Sequence, residues 1–395
     1  MKPIAIIGSG LAGYTVAREF RKLDKTTPLL IFTGDDGSFY SKPMLSNAFA
    51  MSKQPQQLQS KTADQMAAEL NATILTKTQV SGINTATQTI QTRTGDFEYA
   101  QLVLALGAQA IRLPIAGNAA DKVLSVNNLD DYAVFRDKLA QAGDKARVTI
   151  LGAGLIGCEF SDDLASAGHE VTLIDPNALP LAALAPTAIS QGLHAALSEK
   201  GVRLKLGTTA SQIDVLGNAL QVRLSNGESF DADVVLSAVG LRADIRLAQA
   251  AQLQTDRGII INEYGQTSVP GIFALGDCAQ YKQADGSHSL MPYVAPIMTA
   301  ARAIALSLSG QLTTIDMKLA AVLVKTPSYP VALIPPAFAV SKSGVWESDH
   351  VDGITTSRYF DEGKKLRGFA IAPHDAKSRN ALLAELTEAQ AARII

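Results

Sequence analysis

Short apolar runs that end in glycine divide much of the chain into repeating segments. Residues 4–7 and 147–151 are mostly apolar, and each run is followed by Gly-x-Gly-x-x-Gly and then by apolar positions at helical spacing. Two further apolar runs end at Gly107 and Gly240. Apolar runs of this length are typical of strands buried in a parallel sheet, and the spacing after the glycines predicts helices. The pattern therefore predicts an α/β chain built from strand–turn–helix units.

The two Gly-x-Gly-x-x-Gly patterns predict two phosphate sites. In the first pattern Gly8 permits a tight turn, Gly10 lets a pyrophosphate approach the backbone, and Gly13 lets the helix pack close to its strand. The start of such a helix offers free N–H groups and the positive end of its dipole to phosphates. We assign the same roles to the glycines of the second pattern, Gly152, Gly154 and Gly157. The residues between the glycines of the first pattern are also predicted to contact the cofactor: Ser9, Leu11 and Ala12.

The strand that follows the second of these helices ends in an acid. Residues 169–175 end in Asp175, which stands at the distance expected for a carboxylate that bonds both hydroxyls of an adenosine ribose. This carboxylate would repel a 2′-phosphate, and no arginine stands next to it, so the pattern favours NADH over NADPH. The alternative is that Asp175 is only a turn residue before Pro176.

The strand that follows the first helix departs from this pattern. Residues 28–33 end at Thr33, and the next acid is displaced to Asp35, so its role stays open while Thr33 is a candidate contact for the nucleotide. The loop that follows carries Lys42 beside a proline. Lys42 either reaches a cofactor ring or is a solvated residue before a helix that the proline starts, and the local pattern leaves both open.

The last third of the chain predicts a different arrangement of helices and strands. An Ala-rich helix is predicted over residues 297–309, after a polar loop at 280–289. From about residue 316 the pattern predicts a smaller α+β domain. Its strand-like runs and its final helix are predicted over residues 320–325, 331–334, 355–360 and 368–371, and over roughly 376–393.

Composition and charge narrow the class of protein. The 395 residues are 47% hydrophobic and 18% charged, as in globular chains, and a net charge of -2 gives no case for nucleic acid. No apolar run reaches the roughly 20 residues of a membrane helix. Cys158 and Cys278 form no Cys-x-x-Cys pair, and the chain starts directly with a strand, so we expect no signal peptide and a cytoplasmic protein. The five histidines show no ligand spacing, so we expect no metal site.

Taken together, these motifs resemble those of the two-dinucleotide-binding flavoprotein reductases. The resemblance covers about the first 310 residues and rests on the two glycine turns, the strands ending at Gly107 and Gly240, and Gly-Ile-Phe-Ala-Leu-Gly-Asp at residues 271–277. It implies FAD and NAD, as NADH, as the cofactors, with Asp277 on the ribityl chain of the flavin. The implied fold is α/β, with two Rossmann-like dinucleotide-binding domains for FAD and NAD plus a small α+β C-terminal domain.

The order of the motifs predicts how these domains divide the chain. Two dinucleotide motifs imply two cofactors, and a flavin with a nicotinamide is the simplest pair because hydride passes directly between them. We predict an FAD-binding domain in residues 1–108 and 242–315, an NAD-binding domain in 109–241, and the C-terminal domain in 316–395.

Four stretches narrow the resemblance to the bacterial members of this family that reduce rubredoxin: residues 8–14 with 17–24, 40–46, 151–160 and 324–327. In those enzymes two lysines and a glutamate approach the flavin ring. The matching catalytic candidates are Lys42, Glu159 and Lys325, and Val80 and Val294 are implied as backbone or wall contacts. On the residues alone, two alternatives stay open: Lys325 as a surface residue at a strand end, and Glu159 as an ordinary first-turn acid favoured by the helix dipole.

The resemblance implies an enzyme that takes hydride from NADH and passes single electrons to rubredoxin, a small acidic iron–sulfur carrier. The electrons would support an oxygenase such as an alkane hydroxylase. Residues 35–50 contain no cysteine, which excludes a thiol relay in that region. A ferredoxin reductase of an oxygenase system, an NADH oxidase and a non-catalytic flavin-binding protein remain alternatives, and the oligomeric state stays open. We interpret the basic run as a solvated helix face or a docking surface for an acidic partner: Arg18, Arg21, Lys22 and Lys25.

Overall fold

The computed structural model describes residues 1–283, 286–337 and 343–391. The chain divides into two compact units, each built from separate stretches of sequence. The first unit comprises Met1–Lys42, Gln56–Gln109 and Leu241–Lys318, and the second comprises Pro43–Pro55, Ala110–Gly240 and Leu319–Ile395. The predicted domain boundaries at residues 108, 241 and 315 stay a prediction.

A five-stranded parallel sheet forms the centre of the first unit. Its strand order is Ile272–Ala274, Gln101–Leu104, Ile4–Ile7, Leu29–Phe32 and Thr73–Leu75. All four pairings are parallel. The central strand Ile4–Ile7 is buried at all four positions, which explains why it reads as an unbroken apolar run instead of an alternating one. The helices Leu11–Leu23 and Val294–Leu308 pack against each other beside this sheet.

Three smaller sheets complete the first unit. Val80–Asn84, Thr89–Thr92 and Gly95–Glu98 form an antiparallel meander. The predicted polar loop at residues 280–289 is wrong, because Ala279–Lys282 pairs with His288–Leu290; residues 284 and 285 lie outside the described residues. The other elements are the strands Phe39–Tyr40, Gln59–Lys61 and Ile259–Ile260 and the helices Ala63–Leu70 and Arg246–Ala250.

The second unit contains a second, four-stranded parallel sheet. Its order is Arg203–Leu206, Glu170–Asp175, Arg147–Leu151 and Val234–Ser237. The helix Leu155–Ser166 follows the strand Arg147–Leu151 and packs on it and on its neighbour. The helices Leu129–Ala142 and Thr187–Glu199 belong to the same unit, as does an antiparallel sheet of Ala210–Leu216, Ala219–Leu224 and Ser229–Ala232.

The C-terminal part of the second unit is an antiparallel sheet with a helix packed on it. The strand order is Val322–Val324, Val331–Ile334, Leu366–Ala372, Ile354–Phe360 and Val345–Val351. The helix Ala376–Ala391 packs on the strand Leu366–Ala372. The predicted last residues of this helix, 392 and 393, lie outside the described residues, as does the end of the predicted C-terminal domain.

The predicted fold class is confirmed: two parallel sheets with glycine turns are joined to a small α+β part. Sequence patterns missed the strands Ala210–Leu216 and Val345–Val351, which have exposed and polar positions where buried strands would be apolar. Across the described ranges, no helix combines the length and the apolar character needed to cross a membrane.

Candidate functional site

The first glycine turn follows the strand Ile4–Ile7 and is too tight for side chains at two positions. Gly8 has a φ of +113°, and a Cβ there would lie 2.1 Å from the carbonyl oxygen of Ala105. A Cβ at Gly13 would lie 1.9 Å from the carbonyl oxygen of Gly8. At Gly10, by contrast, no atom of the described residues lies within 4 Å of the Cβ position. The turn is closed on its protein side and open where a ligand would approach.

The helix Leu11–Leu23 begins beside this open space without a side-chain cap at Gly10. Its first N–H groups have no partner within the helix, and the positive end of the dipole adds to them. Open space and free donors together fit the pyrophosphate of a dinucleotide.

The displaced acid of the first unit is connected to the turn by two hydroxyls. Ser9 donates to Thr33 Oγ1 at 2.7 Å, and Thr33 donates to Asp35 Oδ1 at 2.5 Å. The backbone N–H of Gly37 donates to the same carboxylate oxygen at 2.9 Å. Asp35 is therefore held at the edge of the turn, although it stands two residues after Thr33 in the sequence.

Asp277 lies in a short 3₁₀ turn, Gly276–Cys278. The N–H of Gly276 donates to the hydroxyl of the buried Tyr281 at 2.7 Å, which fixes the turn just before the aspartate. The remaining predicted residues of this unit lie at element ends: Lys42 starts Lys42–Asn47, Val80 starts Val80–Asn84, Gly107 follows Gln101–Leu104, and Val294 starts Val294–Leu308.

The second glycine turn repeats the first. Gly152 has a φ of +99°, and a Cβ at Gly157 would lie 1.8 Å from the carbonyl oxygen of Gly152. At Gly154 no described atom lies within 4 Å of the Cβ position. The helix Leu155–Ser166 again begins without a side-chain cap. The second turn therefore fits a second pyrophosphate.

A cavity of about 530 Å³ opens next to the second turn, inside the second unit. It is lined by the turn, by the end of the neighbouring strand and by residues 238–240, so the predicted Gly240 lies at its wall. Within the described part of the chain, Asp175 is the only charged residue among those that line it. The cavity is therefore suited to a mostly apolar group with one negatively charged contact.

Asp175 is the last residue of the strand Glu170–Asp175 and is 9% exposed. Its Oδ2 accepts a hydrogen bond from the N–H of Ala153 at 2.7 Å. Its Oδ1 accepts two, from the backbone N–H and from the side-chain amide of Asn177, both at 2.8 Å. The carboxylate is thus fixed at the cavity wall by three donors, one of which belongs to the glycine turn.

Glu159 and Lys325, which are 166 residues apart, form an ion pair in the second unit. Glu159 is fully buried in the helix Leu155–Ser166, and its Oε1 accepts the backbone N–H of Lys325 at 2.8 Å. Its Oε2 accepts from the Lys325 ammonium and from the hydroxyl of Ser46. The ammonium also donates to Ser46 Oγ at 3.0 Å, which closes a three-membered network.

This network bears on the structural alternatives left open for Glu159 and Lys325, while their catalytic roles stay a prediction. Glu159 lies beyond the first helical turn and is paired, so the interpretation as an ordinary first-turn acid is wrong. Lys325 does follow the strand Val322–Val324, but its ammonium is held by two partners and its side chain is 32% exposed. Ser46 was missed, although it stands in the same sequence stretch as Lys42.

Two further acids of the helix Leu155–Ser166 hold separate segments of the second unit. Asp162 Oδ2 accepts the backbone N–H and the hydroxyl of Ser328 at 2.9 and 2.7 Å. Asp163 accepts the N–H groups of Phe49 and Ala50 at 3.0 and 2.7 Å. Burial, opposed in part by these two hydrogen bonds, raises the pKa of Asp163 to about 6.

The two cysteines are buried and unpaired with each other. Burial raises the pKa of both thiols, that of Cys278 to about 12. A thiolate is the reactive form of cysteine, so neither residue is prepared for thiol chemistry at neutral pH.

The basic run of the first helix is only partly a solvated face. Arg21 is buried and donates to the carbonyl oxygens of Leu70 and Asn71 at 2.5 and 2.9 Å, so it cannot present a positive surface. Arg18 forms an ion pair with Glu69 at 2.7 Å. Among the described residues, no group of three or more His, Cys, Asp and Glu side chains could hold a metal ion.

Comparison with known proteins agrees with these features. Residues 2–303 match the family model described as pyridine nucleotide-disulphide oxidoreductase, and residues 314–386 match that of the rubredoxin binding C-terminal domain. The chain is 41% identical to the rubredoxin-NAD(+) reductase of Acinetobacter baylyi, over 98% of each chain. It is 39% identical to that of Alcanivorax borkumensis, over 98% of this chain and 99% of the relative.

A solved structure is similar over nearly the whole fold. The ferredoxin reductase for the CYP199A2 system from Rhodopseudomonas palustris has a TM-score of 0.86 and 26% identity, and the match covers 96% of this chain and 93% of that one. The chain therefore belongs to the pyridine nucleotide-disulphide oxidoreductase family and uses FAD and NAD(H), as predicted.

Proposed function

We propose that the chain is an NADH-dependent oxidoreductase that passes electrons through FAD to rubredoxin. The observation that carries the proposal is the combination of two uncapped glycine turns with a C-terminal part that matches a rubredoxin binding domain. Near-complete coverage of two rubredoxin-NAD(+) reductases supports the same acceptor.

We assign each nucleotide to one of the two turns. The first turn holds the pyrophosphate of FAD, with Thr33 and Asp35 toward the adenosine and Asp277 toward the ribityl chain. Val80, Gly107 and Val294 remain proposed contacts of the same cofactor. The second turn holds NADH, and its adenosine end occupies the cavity beside Asp175. When bound, the flavin supplies the conversion of a two-electron hydride into single electrons.

Lys42, Glu159 and Lys325 are the proposed catalytic residues. A lysine beside a flavin stabilises negative charge on the reduced ring. Two of the three ammonium protons of Lys325 are used by Glu159 and Ser46, and no described residue accepts the third, which we assign to a bound group. The network thus fixes the direction of the ammonium before any ligand binds, which reduces the reorganisation needed during the reaction.

The proposal extends to the cellular compartment and to the pathway that the protein supplies. We propose that the chain works in the cytoplasm and supplies electrons to an oxygenase such as an alkane hydroxylase. The absence of a Cys-x-x-Cys pair from the sequence is consistent with a reducing compartment. The pathway rests on the resemblance to rubredoxin-reducing enzymes alone.

Stopped-flow measurement of the two half-reactions tests the proposal. Anaerobic NADH should bleach the flavin absorbance, and rubredoxin should then restore it. A protein whose flavin is not bleached by NADH would be a binding protein instead of an enzyme. Rapid oxygen consumption without any carrier protein would identify an NADH oxidase.

A ferredoxin is the second candidate acceptor, because a ferredoxin reductase shares the fold over nearly its full length. Parallel titration of the reduced protein with rubredoxin and with ferredoxin separates the two. Faster reoxidation by ferredoxin than by rubredoxin at equal concentration would identify ferredoxin as the electron acceptor.

A further inference from the structure

Asn177 stands at the cavity wall two residues after Asp175 and is tied to its carboxylate twice. Its backbone N–H and its side-chain amide both donate to Asp175 Oδ1, at 2.8 Å each. The opposite oxygen, Oδ2, receives one hydrogen bond, from Ala153. Asn177 is itself exposed and lines the cavity.

Counting acceptor positions shows that Asp175 has little capacity left for a ligand. A carboxylate offers about four acceptor positions, two on each oxygen. Asn177 fills both positions on Oδ1, and Ala153 fills one on Oδ2. One position remains, whereas an adenosine ribose presents two hydroxyls.

The side chain of Asn177 has the capacity that Asp175 lacks. Its amide uses one of two protons on Asp175, while its second proton and its carbonyl oxygen have no partner among the described residues. A primary amide can donate to one hydroxyl oxygen or accept a hydroxyl proton. Asn177 can therefore bond one hydroxyl without giving up its contact with Asp175.

We propose that Asp175 and Asn177 together recognise the adenosine ribose, each by a hydrogen bond to one hydroxyl. The inference rests on the proposed function, since it assigns the adenosine end of NADH to this cavity. The two residues then have different roles in nucleotide binding. Asp175, the one charged residue among the described residues of the lining, rejects a 2′-phosphate by charge repulsion. Asn177 contributes affinity for the unphosphorylated ribose.

Calorimetric titration of the FAD-loaded protein with ADP, 2′-deoxy-ADP and 3′-deoxy-ADP tests this division. Loss of one neutral hydrogen bond should weaken ADP binding about threefold to tenfold in Asn177→Ala. The same loss should appear with one deoxy probe and vanish with the other, which lacks the hydroxyl that Asn177 bonds. Equal losses with all three probes, or none with ADP, would overturn the proposal.

Two further variants serve as controls. Asn226 also contacts a carboxylate two residues later, Glu228, but does not line the cavity, so Asn226→Ala should leave all three affinities unchanged. Asp175→Ala should gain affinity for adenosine 2′,5′-bisphosphate, whereas Asn177→Ala should not. A gain in Asn177→Ala would contradict the proposed duties.

ADP binding to the wild type distinguishes a failure of this inference from a failure of the proposed NADH-binding function. If ADP fails to compete with NAD+, the assignment of the cavity to NADH is itself wrong. If ADP competes and Asn177→Ala binds it as the wild type does, only the role of Asn177 is overturned.

Discussion

The two glycine turns of this chain are nearly identical in backbone and different in what surrounds them. A Cβ at the third glycine would lie 1.9 Å from a carbonyl oxygen in the first turn and 1.8 Å in the second. Both helices start without a side-chain cap. The glycines therefore form the same backbone turn twice, and the differences between the two sites lie in the residues around the turn.

The residue between the first two glycines shows how each turn reaches its acid. In the second turn the backbone N–H of Ala153 donates directly to Asp175, at the strand end. In the first turn Ser9 occupies that position, and its hydroxyl contacts Thr33 Oγ1 at 2.7 Å and Asp35 Oδ1 at 3.3 Å, while Thr33 donates to the same carboxylate oxygen. A serine hydroxyl and a threonine hydroxyl together bridge the gap left by an acid that is displaced by two residues.

A second difference follows the third glycine. Two residues after Gly13, Thr15 donates to the carbonyl oxygen of Leu11 in its own helix, at 2.6 Å. Two residues after Gly157 stands Glu159, which binds Ser46 and Lys325 from distant parts of the sequence. At this position the first helix carries a hydroxyl bonded to its own backbone, whereas the second carries a buried carboxylate that joins segments from distant parts of the sequence.

Breaking the ion pair of Glu159 should produce the largest effect. Among the described residues, Lys325→Met would leave the fully buried carboxylate with the Ser46 hydroxyl and one backbone N–H as its partners. This should cost about 3 to 5 kcal/mol in the free energy of unfolding. The double variant Glu159→Gln with Lys325→Met should recover most of this loss, because no buried charge remains. Urea denaturation followed by circular dichroism measures both.

The matched control for that variant is an exposed pair in the same unit. Lys205 contacts Glu228 at 2.6 Å, with 36% and 49% of the side chains exposed. Lys205→Met should cost no more than about 1 kcal/mol. Equal losses in Lys325→Met and Lys205→Met would show that the burial of Glu159 is not what makes its partner necessary.

The sequence predicted the two cradles because their information is local. A strand, three glycines and a helix lie within about 20 consecutive residues of each other. The network of Glu159 could not be found that way, since Ser46 lies 113 residues before it and Lys325 lies 166 residues after it. Only the family resemblance brought Glu159 and Lys325 together, and it did not indicate Ser46.

The missed strands have a similar explanation. Val345–Val351 is the edge strand of its sheet and carries Glu347, Asp349 and His350 on largely exposed positions, so it lacks the apolar signal of a buried strand. The strand Ala279–Lys282 was hidden in a stretch that reads as polar, although Gln280 and Tyr281 are buried. Burial of polar side chains depends on tertiary partners, which a pattern does not contain.

Asp163 gives the second helix a pH dependence that we do not predict for the first. Its pKa is about 6 in the folded protein against 3.8 ordinarily, so the folded chain binds more protons between these values. Stability from this group should therefore fall as pH rises from about 4 to 6, by on the order of 3 kcal/mol in total, and level off above. Denaturation of the wild type and Asp163→Asn across this range measures the difference.

The difference in unfolding free energy between the wild type and Asp163→Asn should shift with pH, because the amide does not titrate. A constant difference between wild type and Asp163→Asn from pH 4 to 7 would mean that Asp163 is already ionised in the folded state at pH 4.

Substitutions at the glycines test whether the two cradles are equivalent. Gly157→Ala would place a Cβ against the Gly152 carbonyl oxygen and should cost about 1 to 3 kcal/mol of stability. Gly154→Ala has open space and should keep the fold while it weakens NADH binding, because the pyrophosphate loses its close approach. Thermal unfolding and NADH titration separate the two effects.

The corresponding variants of the first turn should affect the other nucleotide. Gly10→Ala should fold normally, lose FAD and leave NAD+ binding to the second unit unchanged. If Gly10→Ala retained its FAD while Gly154→Ala lost NADH, the two cradles would not hold their phosphates in the same way.

The smallest expected effect concerns the hydroxyl that distinguishes the first turn. Ser9→Ala converts the first turn to the Gly-Ala-Gly sequence of the second. It removes the hydroxyl that donates to Thr33 at 2.7 Å and contacts Asp35 at 3.3 Å, while Asp35 keeps its bonds from Thr33 and Gly37. Loss of one neutral hydrogen bond should raise the dissociation constant of FAD about twofold to tenfold. Reconstitution of the apoprotein, followed by flavin fluorescence, measures this, with Ser81→Ala as an exposed serine control in the same unit. If Ser9→Ala bound FAD as tightly as the control, Thr33 and Gly37 alone would suffice to hold Asp35. If it could not be reconstituted at all, Ser9 would be an essential contact of the nucleotide itself.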